Sequence, residues 1–199
     1  MRRRGGLTRN AYIWCMRTAI FLLIILVPQV VAQNPRPARL FRDSTLVFRF
    51  SPPAHMRDLT DVAKQSVQQR AAALGTSNVL TVLLSLSSGP DDTAADWHSV
   101  GIETYSREKL DSLSDRDASR TFSRLVAGGG TEIDQAADLD VGGCQFVVST
   151  FELHEGRLTK YARVYTAVRN ARMLSFYFSA NSPDVLARTA ESMKTFKAE

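Results

Sequence analysis

Apolar residues recur at changing intervals along the chain, and the intervals predict its elements. Over Leu59–Leu74, residues Leu59, Val62, Ala63, Val67, Ala71 and Leu74 fall on one side. Asp61, Lys64, Gln65, Gln68 and Gln69 fall on the other, which is the period of an amphipathic helix. Gly75 supplies its C-terminal cap. Val79–Ser87 (VLTVLLSLS) is rich in leucine and β-branched residues and bounded by Gly89-Pro90, so it reads as a largely buried strand. Thr45–Ser51, stopped by Pro52-Pro53, and Trp97–Tyr105 are further strands. Ser114–Ala127 is a shorter helix. Ser114 and Asp117 have capping-box spacing, Ala118, Phe122, Leu125 and Val126 share a face, and Gly128–Gly130 ends it.

The pattern is clearest after Gly142. Cys144–Leu153, Leu158–Arg169 and Arg172–Ala180 form an antiparallel meander that turns at Gly156 and at Asn170-Ala171. Asn181–Pro183 then starts a helix with Ser182 as N-cap and Pro183 at the first helical position, where its missing N–H is harmless. Leu186, Ala190, Met193 and Phe196 line its core side. Long antiparallel strands with helices at both ends predict an α+β fold, an antiparallel sheet flanked by helices as an α/β/α sandwich. Alternation along the meander sends Tyr161, Arg163, Tyr165 and Arg169 to one face. In the next strand it separates Met173, Ser175 and Tyr177 from Leu174, Phe176 and Phe178. If the register joins the tyrosine-bearing faces, Tyr161, Arg163, Tyr165 and Tyr177 make a platform for a ligand or partner. If another layer covers them, the same residues are core.

Charge then changes the picture of the whole chain. Its 199 residues carry 25 Lys+Arg and 20 Asp+Glu, a net charge of +5. That excess lies in residues 1–32, where Arg2, Arg3, Arg4, Arg9 and Arg17 meet no acid. The remainder is neutral, so basicity gives no support to nucleic-acid binding. The same segment has the parts of an export signal. A basic flank precedes the apolar run Ala19–Val27, Pro28 breaks it, and Val30-Val31-Ala32 places small residues before Gln33. Cleavage is expected between Ala32 and Gln33, with an uncleaved anchor as the alternative. The expected division is a signal over 1–32, an extended lead-in over 33–44, and a single domain over 45–199 that touches a membrane only through the signal. Cys15 lies within the signal, so Cys144 is the one cysteine of the processed chain and forms no internal disulfide.

Few residues gather into recognisable chemistry. His55, His98 and His154 each stand alone, without the second ligand at short spacing that a metal site requires. Asp134, Asp138 and Asp140 lack the glycine and terminal glutamate of a calcium loop and read as a solvated loop. Gly128–Gly130 follows a helix, whereas a phosphate-binding loop precedes one. No Gly-x-Ser-x-Gly elbow is present, and Cys144 at the head of a strand has the position of a small core residue. No catalytic residue, metal ligand or cofactor is assigned from these patterns.

The strand entered through Gly142-Gly143, the strand ending in Val168-Arg169-Asn170, the aromatic strand Leu174–Ala180 (LSFYFSA) and the helix begun by Asn181-Ser182-Pro183-Asp184 together resemble the PsbP-like superfamily. That group includes extrinsic photosystem subunits, a Ran-binding nuclear import factor and secreted bacterial proteins. The resemblance implies an α/β/α sandwich used mostly for binding or assembly, and it carries over no functional residue. The chain is therefore expected to be a periplasmic or extracellular, non-enzymatic binding or accessory domain. Its partner would be an envelope protein or a small ligand. An extracytoplasmic hydrolase whose residues converge only in space, and a cell-surface assembly protein held by its uncleaved signal, are the alternatives.

Overall fold

The computed structural model describes residues 40–74 and 80–199. The signal segment and its cleavage site lie outside them. The first described strands are β1 (Phe41–Asp43), β2 (Phe48–Phe50) and β3 (Arg57–Asp58), followed by helix α1 (Thr60–Leu74). Next come β4 (Thr81–Ser87), β5 (His98–Ser106), helix α2 (Asp115–Val126), β6 (Thr131–Val141), β7 (Cys144–Glu155), β8 (Leu158–Arg169) and β9 (Arg172–Ala180). Helix α3 (Pro183–Ala190) runs into a 3-10 turn at Glu191–Thr195, and β10 (Lys197–Ala198) ends the chain.

Seven strands form one sheet in the order β3-β4-β5-β9-β8-β7-β6, and β1-β2-β10 form a small second sheet. Every neighbouring pair is antiparallel. The main core lies on the face of the sheet that meets α3 and the small sheet. There the Phe176 ring sits edge-on to Phe48, Phe50, Phe146 and Phe196 at centroid distances of 5.2–6.0 Å. Helix α2 covers β7, β8 and β9 on the opposite face, and α1 packs against β4. This is the antiparallel α+β sandwich that the strand and helix pattern predicts.

The caps account for where the helices begin. Ser114 Oγ accepts from the Asp117 N–H at 3.1 Å and donates to its carboxylate at 2.6 Å. Ser182 Oγ accepts from the Val185 N–H at 3.3 Å, with Pro183 following it.

Two regions differ from the sequence expectation. The strand expected over Thr45–Ser51 shortens to Phe48–Phe50, because Asp43 Oδ1 accepts from the N–H groups of Thr45 and Leu46 and holds a tight turn. That turn folds β1, at the end of the lead-in, against β2. The expected loop around Asp134, Asp138 and Asp140 is the edge strand β6, hydrogen-bonded to β7 through the Gly142-Gly143 turn. An edge strand tolerates charge, and Arg116, Arg120 and Arg124 of α2 stand one helical turn apart beside it. Arg116 pairs with Asp138 at 3.0 Å, and Arg124 and Arg120 pair with Glu132 at 2.8 and 3.5 Å.

Candidate functional site

The register separates the four residues of the sequence-derived platform. Tyr161, Arg163 and Tyr165 of β8 stand opposite Ala180, Phe178 and Phe176 of β9, on the face that carries the main core. Tyr177 stands opposite Val164 and so lies on the other face. The condition for a four-residue platform is therefore not met. Tyr165 is buried, edge-on to Phe146 at 6.3 Å and Phe178 at 5.7 Å. Arg163 donates to Thr150 Oγ1 at 3.4 Å. Burial raises the Tyr165 pKa, and the neighbouring Arg163 opposes the rise. Both line a recess of about 200 Å³, together with Leu139, Val141, Ala187 and Lys194.

The other face holds a different constellation. Along β5, Val100, Ile102 and Thr104 are buried, whereas Ser99, Gly101, Glu103 and Tyr105 keep part of their surface exposed. In β9 the same face presents Ser175, Tyr177 and Ser179, with Ser175 opposite Glu103 and Tyr177 opposite Gly101. The result is a strip of polar and aromatic side chains across two central strands of the sheet. At one end the Tyr105 ring stacks on Phe122 of α2 at 5.8 Å. At the other end Trp97 Nε1 donates to Ser87 Oγ at 3.1 Å, and the Lys160 ammonium lies 4.9 Å from the Trp97 ring centroid.

Two groups in the middle of this strip have no partner among the described residues, one half-buried and one fully buried. Glu103 has no hydrogen bond or ion pair among the described residues, and burial alone pushes its pKa up to about 7. Ser175 is fully buried, and its hydroxyl has no hydrogen-bond partner among the described residues. Tyr177 beside them has its pKa raised chiefly by burial and further by Glu155 and Glu103, against an opposing hydrogen bond with Ser179. Lys160, with 0% of its side chain exposed, is held by Asp92 at 2.8 Å and Glu155 at 2.7 Å, so its charge is satisfied. Buried polar groups are almost always paired, so the orphaned Ser175 hydroxyl, opposite a half-buried carboxyl that also lacks a partner among the described residues, marks a place where a further polar group would fit.

Glu103, and the joining of the Ser175–Tyr177 face to β5, escaped the sequence reading, although one signal for them was present. Both β5 and β9 alternate polar or small residues with large apolar ones, and two such strands side by side make a polar face. The histidines remain apart. His98 Nδ1 lies 2.9 Å from the Asp96 carbonyl, and His154 Nε2 lies 3.0 Å from Glu152. Among the described residues no group of three or more His, Cys, Asp or Glu side chains gathers as for a metal. Cys144 is buried with its thiol pKa raised by that burial, Arg169 opposing and Asp140 adding to the rise. Among the described residues no helix is long and apolar enough to cross a membrane.

No protein-family model matches the chain. No curated protein matches it by sequence either. Solved structures do match by shape. The solution structure of cyanobacterial PsbP (CyanoP) from Synechocystis sp. PCC 6803 superposes with a TM-score of 0.51 at 12% identity, covering 88% of this chain and 99% of that one. A Bacteroides thetaiotaomicron crystal structure gives 0.45 at 12% identity, covering 82% of this chain, which spans 49% of that chain's length. LpqN of Mycobacterium tuberculosis, described as involved in cell envelope biogenesis, gives 0.38 at 8% identity, covering 59% of this chain and 77% of that one. The element order, the sheet and the near-complete mutual coverage with CyanoP establish that this chain has a PsbP-like fold.

Proposed function

We propose that the protein is an exported, non-catalytic binding or accessory domain whose site is the Glu103–Ser175–Tyr177 strip. The observation that carries the reading is the fully buried Ser175 hydroxyl, without a partner among the described residues, opposite the half-buried Glu103 carboxyl on a strip that is still partly open to solvent. An internal structural role would satisfy the Ser175 hydroxyl within the chain. The Cys144 thiol, neutral by burial and on the other face, is a poor nucleophile. Export rests on residues 1–32, and the protein recovered outside the cytoplasm is expected to begin at Gln33 by mass spectrometry. A product that keeps residues 1–32 would favour the membrane-anchored alternative.

A second reading places the partner at Arg163 and Tyr165, beside Tyr161, and is favoured by the recess that the first two line. An NMR titration of the intact protein with a mixed fragment set separates the two. Amide shifts clustered at Gly101–Glu103 and Ser175–Tyr177 support the strip. Shifts clustered at Arg163–Tyr165 and Ala187–Lys194 move the site to the recess. Fragments that shift neither cluster overturn the binding reading.

A further inference from the structure

The chemistry of the strip narrows what it can hold, given that it is the binding site. The charged groups that act on Tyr177 within the strip, Glu155 and Glu103, are both acidic. Lys160 is already paired twice, to Asp92 and Glu155, and Glu155 and Glu103 both act on the Tyr177 hydroxyl. Burial is the sole cause of the change in Glu103, with no basic group offsetting it. An anion would meet repulsion here, and a neutral acceptor would leave the Glu103 carboxylate unpaired when ionised. A cation with N–H donors meets neither penalty.

The flanks suit the same class. Tyr105 lies two residues along β5 from Glu103, and Tyr177 lies diagonally across on β9, so aromatic rings border the carboxyl on two sides. Between them Gly101 has no side chain, and even an added Cβ there would stand 3.8 Å from the Cβ of Tyr177. Gly101, Glu103, Tyr105 and Tyr177 each keep part of their surface exposed, so a ligand can reach the strip from solvent. Ser175 stands opposite Glu103 in the register, and its fully buried hydroxyl has no partner among the described residues.

We propose that the strip binds a primary ammonium group, seated against Glu103 between Tyr105 and Tyr177 with Ser175 beneath it. The ammonium can belong to a free amine or end a lysine side chain of a partner. The intact protein is titrated with n-butylammonium, with a lysine residue blocked at both ends, and with n-pentanol and acetate as neutral and anionic probes, reading amide shifts at Gly101 and Tyr177. The expected result is saturation by the ammonium probes, with the tighter of the two identifying the source. Glu103→Gln keeps the shape and removes the charge, and it should weaken ammonium binding about tenfold or more. Gly101→Val keeps the charge and puts bulk beside Tyr177 and Glu103, and it should abolish binding while the variant still melts cooperatively. If pentanol or acetate binds as well as the ammonium probes, or Glu103→Gln binds them unchanged, the cation assignment is overturned while the strip stays a binding site. If no probe shifts these amides, the strip itself is overturned as the site.

Discussion

Burial raises the Glu103 pKa from 4.5 to about 7, and that fixes the sign of its effect on stability. The folded protein holds this proton more tightly than the unfolded chain does. The stabilisation is therefore complete below about pH 4.5 and is lost as pH rises through about 7. Glu103→Gln removes the titrating group. Its stability should lack this fall between pH 5 and 8, and above pH 7 it should exceed the wild type by roughly 1–3 kcal/mol in urea melts. Equal pH slopes for the two proteins would show that the carboxyl is solvated. Lys160 makes the opposite case. Its buried charge is matched by two carboxylates and a tryptophan ring, so it belongs to the frame beside the site.

Among the elements, legibility followed the source of the ordering information. The helices α2 and α3 and the meander were readable because their caps, turns and periodicity are local. Ser114, Ser182, Gly156 and Asn170-Ala171 stand where their chemistry demands. Strand β6 was not readable, because its acids are tolerated only through partners supplied by α2 and β7. The faces of β8 and β9 depended on register, which the sequence leaves to the turn between them. In that turn Asn170 and Ala171 have φ of 47° and 58°, the left-handed pair of a two-residue hairpin. Alanine is strained in this conformation and glycine is not. Ala171→Gly should therefore raise stability by about 0.5–1 kcal/mol in denaturant melts, despite its greater freedom when unfolded.

At the scale of the molecule, the sheet divides two kinds of interior. The face toward α3 is sealed with phenylalanine, and the face toward α2 is apolar under the helix but polar along β5. The sealing depends on both ends of the described chain. Lys197 and Ala198 pair with Arg49 and Phe48, the Ala198 N–H donates to the Gly142 carbonyl, and the Glu199 N–H donates to that of Val47. Deleting Lys197–Glu199 should lower stability by roughly 2–4 kcal/mol through lost backbone hydrogen bonds. The deletion should also raise amide exchange in β2 ahead of β8. Uniform exchange across both strands would show that the small sheet is not a separate layer.

The pairing of β2 with β10 also sets an order in time. Phe48 and Phe50 leave the ribosome long before their ring partners Phe176 and Phe196 and the strand β10 beside them. The β5–β9 ladder likewise joins residues about seventy positions apart. The contacts between these rings cannot form before β9 and β10 are made, so β2 stays without its ring partners meanwhile. A chain arranged in this way leaves Phe48 and Phe50 uncovered, and open to a chaperone, until β9 and β10 arrive.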